Sequence, residues 1–86
     1  MPSRADFDKL NALIIEAVAL CAAAQERFQQ INEDLKKAIG EGQRITLLAV
    51  AEKEEARMKL FDSRRLLSER LSSQYRLIHE TTKTEN

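Results

Sequence analysis

Tryptophan is absent, cysteine and proline occur once each, and the aromatic residues are three Phe and one Tyr in a chain of 86 residues. A lone Cys21 excludes an internal disulfide framework, so shape has to come from packing alone. With only 2 Gly and 1 Pro there are too few turn formers for a many-stranded sheet, which excludes an all-β fold. Charge of one sign is also lacking. Lys+Arg and Asp+Glu stand at 14 each, and whole-molecule attraction to nucleic acid or to an anionic membrane is removed with that balance. The longest apolar stretch, residues 12–24, contains Glu16 and falls short of the roughly 20 residues that span a bilayer. The first residues show no basic start followed by an apolar segment, and the reading is of a cytoplasmic chain without membrane contact. At 9.8 kDa it forms one small domain at most.

What is present is helical. Ser3-Arg4-Ala5-Asp6 reads as a capping box, and Asp6 and Asp8 suit the positive end of a helix dipole. From there Phe7, Leu10, Ile14, Ala17, Cys21, Ala24, Phe28, Ile31, Leu35 and Ala38 follow steps of three and four without a break. That spacing is an a/d seam, the apolar stripe that one helix buries against another. Gly40-Glu41-Gly42 then punctuates the chain, with Gly40 suited to a left-handed cap. The expected elements are a helix over 4–39, a turn over 40–42 and a helix over 43–79, together one domain over 1–80. Residues 81–86 have no apolar member and read as a disordered tail.

The second helix is patterned differently. Ile45, Ala56, Leu67 and Ile78 recur every 11 residues, and Ala49, Leu60 and Leu71 repeat four positions later, which predicts a stripe on a nearly straight helix. Leu47, Ala51, Met58 and Phe61 form a second stripe. Folding back at Glu41 makes opposing residue numbers add to about 82, setting Phe7 against Tyr75, Leu10 against Leu71, Ile14 against Leu67 and Cys21 against Leu60. The alternative is a single rod about 110 Å long, since the first register continues through Gly42, Ile45, Ala49 and Ala56. The paired glycines and the matched stripes favour the hairpin.

Two helices alone hide little surface. Leu13, Val18, Leu20, Leu47, Met58 and Phe61 are apolar and lie off the predicted seam, so they are the expected protein interface. The expectation is an antiparallel, coiled-coil-like hairpin that pairs with itself into a four-helix bundle or binds a partner protein, as small adaptors, secretion chaperones and regulators do.

No residue pattern points to catalysis, a cofactor, a metal or a small-molecule substrate. Cys21 sits among alanines as a small hydrophobe, and His79 has no second histidine to share a metal with. Glu52 and Glu55 have the Glu-x-x-Glu spacing of helical nucleotide pyrophosphohydrolases, but no second acidic pair completes such a site. They fit instead among the surface pairs Glu55/Lys59, Arg65/Glu69, Glu54/Arg57 and Asp62/Arg65. AroQ-type chorismate mutases are helical chains of similar length with an arginine directly after an early leucine; here Asn11 follows Leu10. One local excess of positive charge runs from Arg57 to Arg76. Through Arg57, Arg64, Arg65 and Arg70 it offers the alternative reading, a Rop-like nucleic-acid-binding regulator.

Overall fold

The computed structural model describes residues 3–84, with side chains through residue 81. The first helix, α1, spans Arg4–Gly40. Its start is the predicted capping box: the Asp6 backbone N–H donates to Ser3 Oγ at 3.3 Å, and the Ser3 N–H donates to the Asp6 carboxylate at 2.9 Å. All ten predicted seam residues of α1 are buried or half-buried, and Ile14 and Ala17 are the most deeply covered. Steps of three and four keep these side chains on one stripe, and the partner helix lies along it.

The turn differs in detail from expectation. Gly40 is the last helical residue, and the left-handed position is Gly42, with φ 73°. Gln43 N–H donates to the Ala38 carbonyl at 2.8 Å and Gly42 N–H to the Ile39 carbonyl at 3.0 Å, the paired bonds of a Schellman motif. That geometry puts the left-handed residue two positions later than the first glycine. The second helix, α2, spans Leu47–Thr84 and not 43–79. It starts late because Thr46 caps it, its Oγ1 accepting from Ala49 N–H at 3.1 Å. It ends late because the helix runs on past the expected stop, with the Thr81 hydroxyl donating to the Leu77 carbonyl at 2.8 Å. Positions 85 and 86 of the expected tail lie outside the described residues.

The chain is a hairpin and not a rod. It measures 66 × 17 × 15 Å, and α1 and α2 lie against each other along their length. The seam of α2, however, is not the 11-residue stripe. The covered positions Ala49, Ala56, Leu60, Ser63, Leu67, Arg70, Gln74, Leu77 and Thr81 form a heptad series like that of α1, broken at the exposed Lys53, and Leu66 is half-covered beside it. Ile45, Leu71 and Ile78, three members of the predicted stripe, are exposed at 40%, 46% and 50%. Tyr75, expected against Phe7, is exposed at 70%.

Size complementarity explains the difference. The two covered series mesh when opposing residue numbers add to about 84. That register sets Phe28 across from Ala56, Leu35 from Ala49, Leu60 from Ala24 and Leu67 from Ala17. In these four pairs a large side chain faces a small one, which lets the backbones approach closely, whereas the predicted register set Ile14 against Leu67 and Leu10 against Leu71. Arg70 fits that register: it is half-buried, and its Nη1 donates across the hairpin to the Leu13 carbonyl. Ser63 is buried, and its hydroxyl donates to the Leu60 carbonyl at 2.9 Å.

Candidate interaction face

With the seam of each helix labelled a and d, the antiparallel arrangement turns positions b and e of both helices to one side of the hairpin and c and g to the other. The grooves between the helices show this. One is lined by Asn32 and Ile39 of α1 and Val50 of α2, all e positions. The opposite one is lined by Leu20, Arg27, Lys59 and Leu66, all g positions.

The two sides differ in chemistry. Along α2 the c and g positions read Leu48, Glu52, Glu55, Lys59, Asp62, Leu66, Glu69, Ser73, Arg76 and Glu80, mostly charged. Its b and e positions read Leu47, Val50, Glu54, Arg57, Phe61, Arg64, Ser68, Leu71, Tyr75 and Ile78, mostly apolar. Among the described residues, thirteen large apolar side chains are exposed, and nine of them share the b/e side. They are Ile15, Val18 and Ile39 of α1 with Leu47, Val50, Phe61, Leu71, Tyr75 and Ile78 of α2. By contrast the hydrophobic core consists of Ile14, Ala17, Ala56 and Leu60. An apolar face larger than the core it flanks is unusual for a protein whose surface meets only water.

Two local features order this face. Tyr75 and His79 stack with ring centroids 6.1 Å apart, so the tyrosine ring is braced from the next turn. Arg57 holds Glu54 at 2.5 Å, a b/e pair in the middle of the face. The hydrogen bond from Arg57 lowers the Glu54 carboxyl below its ordinary pKa and raises the guanidinium's own.

The structure divides the six predicted interface residues among several sides. Val18, Leu47 and Phe61 lie on the apolar face. Leu20 lies on the opposite side, Met58 points to the outer edge of α2 at an f position, and Leu13 is half-covered beside Arg70. Six members were missed: Ile15, Ile39, Val50, Leu71, Tyr75 and Ile78. The signal available for the four in α2 was a second series of three- and four-residue steps offset from the seam; Ile15 and Ile39 directly follow the α1 seam residues Ile14 and Ala38.

The four arginines of the alternative reading do not converge either. Arg57 is tied to Glu54, and Arg65 donates to Glu69 at 3.3 Å from the outer edge of the helix. Arg70 turns into the seam. Arg64 is exposed beside Ser68, Leu71 and Tyr75 in a shallow groove of the apolar face. Of the expected surface pairs, Glu55 and Lys59 also meet, at 3.4 Å, while Asp62 does not reach Arg65.

Cys21 is a half-covered seam residue. Among the described residues no group of three or more His, Cys, Asp or Glu side chains is placed to hold a metal ion. Among those residues, too, no helix is long and apolar enough to cross a membrane. No family model, curated protein or solved structure matches the chain.

Proposed function

We propose that this chain is a non-catalytic interaction module that presents one apolar helical face to another polypeptide, itself or a partner. The supporting observation is the concentration of exposed large side chains on the b/e side, Leu47 at 90% and Tyr75 at 70% among them, over a core of four hydrophobic residues. Such a face gains most by being covered, because removal of apolar area from water is the main favourable term in association. A module of this kind needs no bound small molecule, and its specificity comes from where the few polar groups sit within the apolar field.

Sedimentation of the native chain beside Phe61→Glu and Glu55→Lys tests the proposal. Phe61→Glu places a charge in the apolar face and lowers the associated mass. Glu55→Lys changes charge on the opposite side and leaves the mass unaltered. A fully helical native monomer at all concentrations, with no response to Phe61→Glu, overturns the proposal. The nucleic-acid alternative requires Arg57, Arg64, Arg65 and Arg70 to act together, and they occupy three different sides of α2.

A further inference from the structure

We infer that the partner of the apolar face is a second copy of this chain, stacked with the two loops at opposite ends, so that α2 lies antiparallel to α2 and α1 to α1 across a two-fold axis level with Phe61. This rests on the interaction-module reading above and adds the occupant and its orientation.

The two ends of the α2 face complement each other when reversed, while Leu71 falls against Glu54 of the partner subunit. Along α2 its apolar residues gather at both ends, Leu47 and Val50 near the loop and Leu71, Tyr75 and Ile78 near the far end, with Phe61 in the middle. A reversed copy therefore sets Leu47 against Ile78 of the partner subunit and Val50 against Tyr75 of the partner subunit. The central Phe61 falls beside Arg64 of the partner subunit, where a guanidinium finds an aromatic ring.

The same face of α1 supplies an independent check. Its b and e positions run from Asp8 to Ile39, with Asp8 near one end, Lys36 near the other and Ala22 midway between these two charges. Reversal brings Asp8 against Lys36 of the partner subunit, twice per dimer. The centre of this charge pairing is residue 22, and the centre of the α2 apolar pairing lies between residues 62 and 63. In the register of the hairpin those two centres stand at the same level, so one axis serves both helices.

The other two-fold stacking, with both loops at one end and α1 over α2, does not share these matches. It sets Asp8 against the partner's Ile78 and Lys36 against the partner's Val50, leaving four charges on apolar side chains, where the reversed stacking leaves two, the Glu54 carboxylates already held by Arg57, on Leu71 of the partner subunit. The area is also sufficient. Covering the six α2 side chains removes on the order of 600 Å² of apolar surface per chain, close to the roughly 800 Å² per partner of a standard stable interface once α1 is added.

Charge reversal tests the orientation. Asp8→Lys alone and Lys36→Asp alone each place like charges together at two symmetric sites and weaken dimerisation roughly tenfold. The double variant Asp8→Lys/Lys36→Asp restores it. Both single changes also oppose the α1 dipole, and that effect accumulates in the double variant, so restoration marks pairing across the interface. Spin labels at position 41, as Glu41→Cys with Cys21→Ala, give the geometry directly. Labels about 60 Å apart match loops at opposite ends of a particle 66 Å long. A dimer with labels under about 30 Å apart, or one in which the double variant is no better than the singles, overturns the orientation and leaves the interaction module standing. A compact helical monomer overturns both.

Discussion

Replacing Gln74 by leucine should stabilise the hairpin, although by the 11-residue pattern position 74 lies off the buried stripe. Gln74 is half-buried in the seam of α2, in the register across from Leu10. A leucine there buries about 60 Å² more apolar surface, worth ~1.5 kcal/mol at ~25 cal/mol/Å². It also forfeits less side-chain entropy than glutamine on ordering. For a chain of this size 1 kcal/mol moves the midpoint by about 4–8 °C, so Gln74→Leu should raise Tm by roughly 6–12 °C in a circular-dichroism melt at fixed protein concentration. The companion variant Leu71→Gln should weaken association and, at a protein concentration that keeps it associated, leave the hairpin's helicity intact, since Leu71 stands on the exposed face. If Gln74→Leu lowers the midpoint and Leu71→Gln abolishes helicity, the 11-residue stripe is the true seam and the register drawn above is wrong.

The two glycines should behave oppositely. Gly40 is helical with open space where a Cβ would stand, so Gly40→Ala gains about 0.5–1 kcal/mol in a denaturant titration, while Gly42→Ala at φ 73° loses about 1 kcal/mol. Arg70→Met keeps the stem in the seam and removes the charge, so stability should stay within about 1 kcal/mol of the native chain, whereas Arg70→Ala, losing the stem as well, should cost about 1–2 kcal/mol. Heparin retention should be indifferent to Arg70→Met, because that guanidinium faces the Leu13 carbonyl. Asp6 adds a pH dependence: hydrogen bonds from Ser3, backbone first and then side chain, lower its pKa in the folded chain. Its contribution is therefore fully present above the ordinary aspartate range near pH 4 and lost as pH falls through the depressed value. Protection factors for amide exchange in the first turn of α1, corrected for the intrinsic pH dependence, should fall over that acid window, and Asp6→Ala should abolish this fall.

Much of this architecture is legible in the residue order, for reasons that differ by helix. In α1 every seam position from Phe7 to Ala38 is apolar, so hydrophobic periodicity and geometry coincide. In α2 the seam admits Ser63, Arg70, Gln74 and Thr81, while Leu71 and Ile78 stand outside it. Hydropathy counts Arg70 as an outsider, yet its aliphatic stem can lie in a seam while its head finds a carbonyl. The same confusion hid the interaction face. The 11-residue pattern and the fold-back at Glu41 direct Leu71, Tyr75 and Ile78 inward, which hides the stripe they form with Phe61, Val50 and Leu47. Helix starts divide similarly: Ser3 with Asp6 is a two-residue signal that names its position, whereas Thr46 is a single cap masked by the more conspicuous glycines before it.

The central claim is that the b/e side is covered in solution, and helicity followed across dilution tests it most directly. A hairpin whose apolar face is held by another molecule should lose ellipticity cooperatively as protein concentration falls, in step with the sedimentation mass. Ellipticity that stays constant while the mass is that of one 9.8 kDa chain would contradict the account.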